Sequence, residues 1–299
     1  MLLRVTHETT YNYAPAVLLA QHVAYLKPAQ TTHQRLLHHT LSLTPTPTQV
    51  REACDVWGNV RTHLSLQGAH EQLQIVAHSL VQTHSQPAPT HSIRWDAARE
   101  RMRYHREAAW DPASEFTFAS PYVPRHEDFV AYALPSFAQD RSLREAARDL
   151  TSRIHRDFAY QPDATDVGTP ALQALALRQG VCQDFAHVML GCLRSLGLPA
   201  RYVSGYLLTE PPPGEPRLVG SDASHAWVSV YLPPQEPGRP GVWTDLDPTN
   251  DRAAGEDYVT LAVGRDYGDV SPVRGVIHGG ASHRLRVAVT VAPASTIDA

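Results

Sequence analysis

Cysteine is scarce in this sequence. The 299 residues include three cysteines, at positions 54, 182 and 192. An odd number at scattered positions does not predict a disulfide framework, so each thiol is left with packing, metal binding or catalysis as its role. The choice matters most for Cys182 in the segment GVCQDFAH, where a carboxylate and an amide are close neighbours in the chain.

Other features that the sequence lacks exclude whole classes of function. No apolar run approaches the roughly 20 residues needed to cross a bilayer, and the opening MLLRVTHETTYNY is too polar for a signal peptide. The net charge is -4 and no run of lysine or arginine stands out, so neither nucleic acid nor a membrane is expected as a partner. We expect the protein in the cytoplasm.

Histidine is abundant by comparison, with 17 residues. Most of them stand singly in polar or strand-like segments. No pair shows the i, i+4 spacing around a glutamate, and no CxxC accompanies them, as zinc sites require. The sequence therefore predicts no metal and no other cofactor.

The first part of the chain is predicted to be all β. Residues 1 to about 85 alternate apolar and polar side chains in LLHHTLSLTP, NVRTHLSLQG and LQIVAHSLVQ, with turn-forming segments between them. This pattern is typical of an antiparallel sandwich. The segment SQPAPTHS (residues 85–92) is the best linker candidate, so we predict residues 1–85 as the N-terminal β-sandwich region and 86–135 as a linker and connecting segment.

The apolar spacing changes to a helical one at about residue 136. One stripe predicts an amphipathic helix and consists of Leu143, Ala147, Leu150, Ile154 and Phe158. A short helix follows, and a third is predicted from about 182 to 196, ended by Gly197 and Pro199. Strand-like runs come next, so residues 136–299 are predicted to form an α+β domain. The last run, RLRVAVTVA, could join either sheet.

Cys182 is predicted at the first turn of the third helix. Unpaired N–H groups and the positive end of the helix dipole favour an anion there, and hence the thiolate. A cysteine on an apolar stripe is also an ordinary packing residue, which suits Cys192 among its leucines and Cys54 as well. Position alone leaves both roles open for Cys182.

A thiolate nucleophile needs a base, and the base needs an acceptor that orients it. His225 opens the strand-like run HAWVSVYL, and Asp247 closes VWTDLD just before Pro248. Antiparallel pairing of these strands would bring the start of the first beside the end of the second. We therefore predict that Asp247, rather than Asp245 or Asp222, accepts the hydrogen bond. Taken singly, a strand-end histidine and an Asp-Pro turn have ordinary structural explanations.

Together these features are specific. The segments GVCQDFAH, GLPARYVSGYL, DASHAWVSVYL and WTDLDPTN resemble, in that order, the transglutaminase-like core of the papain-type cysteine enzymes. The segments FAYQPDATDVGTP and AVGRDYGDVSPVRGV are similar to the bacterial branch, whose strand-rich N-terminal region carries TTYNY and DVWGN. The resemblance implies an N-terminal antiparallel β-sandwich followed by a papain-like helix-plus-sheet domain. It also implies Cys182 as nucleophile, His225 as general base and acid, and Asp247 as the orienting acid.

The implied reaction is acyl transfer on a peptide or isopeptide amide through a Cys182 thioester. Release by water would make the protein a peptidase or amidase, which we favour, and release by an amine would make it a transglutaminase. A non-catalytic binding module is the third alternative. The Cys182 backbone N–H is expected in the oxyanion hole, with Gln183 or Tyr160 as the second donor. Asp184 is left outside the catalytic set.

Overall fold

A computed structural model of the chain describes residues 1–87, 92–104, 106, 110–209, 224–236, 239–280 and 282–295. The strands are β1 Leu2–Ala24, β2 Gln34–Thr44, β3 Gln49–Cys54, β4 Val60–Thr83, β5 Ala159–Tyr160, β6 Gln179–Gly180, β7 Ala200–Leu207, β8 Ser224–Leu232, β9 Val242–Asp247, β10 Arg252–Ala253, β11 Tyr258–Gly264, β12 Val273–Gly279 and β13 Ser282–Pro293. The helices are α1 Trp95–Met102, α2 Glu127–Ala133, α3 Leu143–Asp157, α4 Ala171–Leu177, α5 Cys182–Ser195 and α6 Tyr267–Val270. None of the helices among the described residues is long and apolar enough to span a membrane.

The first sheet is antiparallel and is built on two long strands, β1 and β4. They pair with each other along most of their length. One half of the sheet is completed by β13 on β1 and by β2 on β4, and the other half by β12 and β3. A buried cluster with side chains from both halves includes Val17, Leu64, Leu73 and Ile75. The predicted antiparallel N-terminal architecture is confirmed, with the two long strands joining all six into one sheet.

The last two strands, β12 and β13, also belong to this first sheet. They come from the part of the chain that the sequence assigned to residues 136–299, where the final run could have joined either sheet. Within the described ranges, residues 1–85 give no strand to the second sheet. The boundaries at 85 and 136 stay a prediction about folding units, and residues 88–91 of the proposed linker lie outside the described residues.

The second sheet is antiparallel, with strand order β10-β9-β8-β7-β11. Helices α3 and α5 contribute their apolar side chains to the large core that this sheet shares with them. The predicted stripe of α3 is buried, and Ser142 caps the start of the helix, where its hydroxyl accepts from the Glu145 N–H in a capping box. The predicted α+β class is therefore confirmed.

Two side-chain amides join the first sheet to the edge of the second. Gln34 donates to the Thr260 carbonyl and accepts from its N–H, both at 2.8 Å. Asn59 does the same at Val263, at 2.7 and 2.8 Å. Each side-chain amide thus forms with β11 the pair of hydrogen bonds that the backbone of a neighbouring strand would form. Asn59 is the last residue of DVWGN, and it is oriented by Asp55, whose carboxylate accepts from the Asn59 backbone and side chain.

Candidate active site

Cys182 is the first residue of α5, as the sequence predicted. It is half-buried and packs against the main core. The helix begins here because Asp184 accepts a hydrogen bond from the Val181 N–H at 2.8 Å. Gly180 has a φ of +151°, and a Cβ there would lie 2.4 Å from the Asp184 carboxylate. Only glycine fits this approach to the thiol.

Asp184 is a structural residue of the helix start. Its carboxylate also accepts from the Thr165 hydroxyl at 2.7 Å, which ties the loop after β5 to α5. Burial raises the pKa of the Asp184 carboxyl, and the hydrogen bonds from Thr165 and Val181 oppose that rise. These contacts agree with its placement outside the catalytic set.

The structure brings His225 and Asp247 together. Strands β8 and β9 pair antiparallel, and Nε2 of His225 lies 2.7 Å from Oδ2 of Asp247. Asp245 lies opposite Ser229 in the same pairing, and its backbone carbonyl accepts from Ala254. Asp222 lies outside the described residues.

Cys182 also interacts with His225 and raises its pKa. Asp247 occupies Nε2, which leaves Nδ1 as the ring nitrogen available to a second partner. Burial by itself would lower the pKa of His225, but the hydrogen bonds and negative charges of Asp247 and Cys182 outweigh it and raise the pKa to about 10. The ring is therefore an imidazolium at neutral pH, hydrogen-bonded to the carboxylate of Asp247.

Asp247 is fully buried and accepts from several donors. The Tyr258 hydroxyl and the Asn250 side-chain amide each donate to Oδ2 at 2.7 Å. The backbone N–H groups of Thr249 and Asn250 donate to Oδ1 at 2.8 and 3.2 Å. Burial opposes ionisation of this carboxyl, but the hydrogen bonds, first that with His225, lower its pKa. Asp247 is thus an oriented carboxylate.

Sequence reasoning missed Tyr258 and Asn250 as members of this site. Asn250 is part of the turn segment DPTN, so its closeness to Asp247 had a local signal. Tyr258 comes 11 residues after Asp247 on a separate strand, and no pattern in the chain predicts the contact.

Two aromatic rings support His225 from its own face of the sheet. The ring centroids of Trp227 and Tyr258 each lie 6.1 Å from that of His225. The close packing of Trp227 depends on Gly205 in the neighbouring strand β7, where a Cβ would lie 2.5 Å from Trp227 and 2.2 Å from the Val259 carbonyl. This accounts for the glycine in the segment RYVSGYL.

The two candidates for the second oxyanion donor, Gln183 and Tyr160, each contact the backbone of a neighbouring segment. The Gln183 amide donates to the Val167 carbonyl at 3.2 Å, which uses one of its two N–H groups. Tyr160 is 55% exposed and pairs with Gly180 through the short strands β5 and β6. Burial and then the negative charge of Cys182 raise the pKa of the Tyr160 phenol. Their roles as oxyanion donors stay predictions.

The other thiols and His187 have structural surroundings. Cys192 is completely buried, and burial raises the pKa of its thiol, whereas Cys54 is exposed at the end of β3. His187 is buried and accepts from the Tyr267 N–H at 3.2 Å. Burial, and then the charge of Arg194, lower its pKa to about 3, so it is neutral. Across the described ranges, no three His, Cys, Asp or Glu residues are grouped as metal ligands.

Comparison with known proteins agrees with the resemblance seen in the sequence. An uncharacterized protein of Mycobacterium tuberculosis is 40% identical over 298 residues, which cover 97% of this chain and 92% of that protein. A protein-glutamine gamma-glutamyltransferase of Pseudomonas aeruginosa is 28% identical over 165 residues, or 50% of this chain and 24% of that one. The crystal structure of a "Putative Cysteine Protease" from Cytophaga hutchinsonii has the same fold, with a TM-score of 0.72 at 21% identity over 99% of this chain and 92% of that one.

The family assignment rests on two matched regions. Residues 3–82 match the bacterial transglutaminase-like N-terminal region. Residues 130–248 match the transglutaminase-like superfamily, and this segment contains all three residues that the resemblance marks as catalytic. The chain belongs to the bacterial transglutaminase-like family.

Proposed function

We propose that the protein is a transglutaminase-like cysteine enzyme that cleaves peptide or isopeptide amides through a thioester. The observation that carries the proposal is the His225–Asp247 hydrogen bond of 2.7 Å, made by a histidine whose pKa is also raised by its interaction with Cys182. A half-buried thiol at a helix start, beside a histidine with an oriented carboxylate, is the arrangement that nucleophilic catalysis requires.

The first half of the reaction forms the acyl-enzyme. The Cys182 thiolate attacks the amide carbonyl carbon, and the carbonyl π electrons move to oxygen, where the Cys182 backbone N–H is the proposed first donor. The tetrahedral intermediate collapses with cleavage of the C–N bond. Nδ1 of the His225 imidazolium gives its proton to the leaving nitrogen, so the products are a thioester and a free amine.

The second half regenerates the thiolate. Neutral His225 takes a proton from water, the resulting hydroxide attacks the thioester, and the C–S bond breaks to release a carboxylic acid. Asp247 stays ionised throughout and stabilises the imidazolium that forms on each occasion.

Hydrolysis is our first candidate because water reaches any open thioester. Transfer to an amine is the second candidate, supported by the relative named as a protein-glutamine gamma-glutamyltransferase. The chemistry up to the thioester is the same for both, so the choice depends only on which nucleophile enters. We keep the cytoplasm as the proposed compartment.

One experiment tests the proposal and separates the two candidates. The protein is incubated with glutamine-containing peptides in heavy-oxygen water, with and without a primary amine, and the products are analysed by mass spectrometry. Hydrolysis places heavy oxygen in a new carboxylate, whereas transamidation adds the mass of the amine. Cys182→Ala is expected to lose at least about 10⁴-fold in rate, and Cys192→Ala serves as the matched control that keeps it.

Two results would contradict the proposal. One is full activity in Cys182→Ala, and the other is the lack of either product from the native protein across a peptide set that includes isopeptide bonds. The second result would favour the alternative of a non-catalytic binding module.

A further inference from the structure

The outer face of the first sheet carries a groove of about 760 Å³. It crosses the half of the sheet that is formed by β3, β4, β1 and β12. We call it the cationic groove and define it by Arg51, Arg61, His63, Arg274, Gln21 and Gln49. Because side chains alternate along a strand, these residues point away from the buried cluster of the sheet.

The charged side chains that line the groove are all positive. Arginines come from three of its four strands, and no carboxylate is among the residues that line it. Arg51 is exposed and has no ion-pair or hydrogen-bond partner among the described residues. The groove thus concentrates positive charge in a chain whose net charge is -4.

The other two guanidiniums have neutral partners. Arg61 interacts with the phenol of Tyr25 and acts to lower its pKa, and Arg274 donates to the Gly268 carbonyl. These contacts fix the two side chains without cancelling their charge. Burial and then the negative charge of Asp55 raise the pKa of Tyr25. The Asp55 carboxylate itself accepts hydrogen bonds from the N–H groups of Trp57 and Asn59.

The donors match carboxylates that are spaced along a chain. Guanidinium groups bind carboxylates in a planar, two-point arrangement, and the glutamine amides that line the groove add further donors. Four adjacent strands place Arg51 and Arg274 about 14 Å apart along the groove, from the ~4.8 Å spacing of neighbouring strands. An extended peptide covers that distance with about four residues. A single small anion would meet only one of the arginines.

We propose that the cationic groove binds an acidic segment of a peptide or protein partner, with aspartate or glutamate carboxylates against Arg51, Arg61 and Arg274. The negative charge of the rest of the protein disfavours long polyanions and anionic membranes, which would extend beyond the groove. If the proposed function holds, the segment belongs to the substrate. The binding itself does not involve Cys182, so it can be tested without catalysis.

The test measures binding of a fluorescent glutamate-rich peptide by anisotropy, at low and at high salt, with the native protein and with Cys182→Ala. The double variant Arg51→Glu/Arg274→Glu is expected to bind at least about tenfold more weakly, since two attractive pairs become repulsive. The matched control is Arg284→Glu/Arg286→Glu, which makes the same change of charge on exposed residues of β13 and is expected to bind within about twofold of the native protein. Arg51→Glu alone is included because Arg274 has a backbone contact.

The outcomes divide cleanly. Loss of peptide binding in the groove variants with unchanged thermal unfolding supports the proposal, and so does equal binding by Cys182→Ala. Equal weakening in the control variant would show a general effect of charge and would overturn it. Binding to vesicles of anionic lipid or to nucleic acid, but not to the acidic peptide, would also overturn it. Peptide binding without amide cleavage would leave the groove assigned and reject the enzymatic proposal alone.

Discussion

The beginning and the middle of α5 each carry a cysteine, and the two sites differ in almost every other respect. Cys182 is half-buried at the first turn and interacts with a charged histidine, His225. Cys192 lies ten positions later, completely buried among apolar side chains, where burial raises the pKa of its thiol. The residue type is the same, so the surroundings decide which thiol can react.

The two histidines near this helix show the same contrast. His225 interacts with Asp247 and Cys182, and these interactions raise its pKa to about 10 in spite of burial. His187, on α5 itself, has a backbone N–H and aromatic rings as neighbours, and burial lowers its pKa to about 3. The helix start thus lies next to a charged histidine, and a neutral, buried histidine lies five residues further along the helix. The two histidines differ in pKa because His225, on β8, has the Asp247 carboxylate of β9 as its partner, whereas His187 has no such partner among the described residues.

The largest expected effect separates the two aspartates of β9. Asp247→Asn replaces the carboxylate that orients His225 and is expected to lower turnover by about 10³- to 10⁴-fold without unfolding the protein. Asp245→Asn changes the residue two positions earlier on the same strand and is expected to keep most of the rate. Peptide turnover of both variants is measured beside their thermal unfolding. If Asp245→Asn were the inactive one, the assignment of the acid would be wrong.

Thiol labelling compares the reactivity of the three cysteines directly. With iodoacetamide near pH 6, Cys182 is expected to react about tenfold faster than exposed Cys54, because its partner His225 favours the thiolate. Cys192 should react only when the core opens. Peptide mapping by mass spectrometry gives the three rates, and His225→Ala should slow Cys182 alone. Equal rates at Cys182 and Cys54 would remove the special status of the helix start.

A smaller effect is expected at Tyr258, whose hydroxyl donates to the carboxylate of Asp247. Tyr258→Phe keeps the aromatic packing and removes one of several donors, so turnover should fall about tenfold, the size expected for one hydrogen bond to a charged group. The pH profile of turnover distinguishes positioning from packing. A loss of rate with a shifted basic limb supports positioning of the acid, whereas a change in thermal unfolding alone would assign Tyr258 to the core.

The smallest change concerns stability against acid. Burial lowers the pKa of His7 and of His22 to about 4, and that of His187 to about 3, from 6.5. The unfolded chain therefore binds protons first as the pH falls, so the stability is complete above about pH 6.5 and is lost toward pH 4 and below. His225 acts in the opposite sense, since its raised pKa stabilises the fold below pH 6.5 and this contribution is lost as the pH rises through about 10.

Urea unfolding at several pH values measures both trends. His22→Leu should flatten the acidic decline, since one proton fewer is then taken up on unfolding. His225→Ala should flatten the alkaline decline instead. An acidic decline of unchanged slope in His22→Leu would show that carboxylates rather than buried imidazoles cause it.

The sequence was informative wherever a residue's role depends on its local position. The helix start at Cys182 and the buried stripe of α3 follow from spacing and capping. The His225–Asp247 contact was predicted from antiparallel pairing of two neighbouring strands. The family resemblance added the order of these segments and their combined meaning.

What could not be predicted depends on contacts between distant parts of the chain. Tyr258 reaches Asp247 from a different strand, and Gln34 reaches Thr260 across 226 positions. An amide side chain that replaces a strand leaves no periodic signal, because a single polar residue in a strand has many possible partners. The cationic groove was also hidden, since its arginines are single residues on separate strands and only the sheet brings them together.

The pairing of β1 with β12 and β13 has a consequence for how the protein folds. Residues 273–293 are synthesised about 250 positions after β1, yet they pair with that strand, which begins at residue 2. During synthesis β1 and β4 can pair, but one edge of β1 stays unpaired until residues 273–293 have left the ribosome. Contacts so distant in sequence slow folding, because a long loop must close before they form. Helix α5 and strands β8 and β9 lie inside that loop, so the final closure of the first sheet is expected to come late and to set the rate at which folded protein appears.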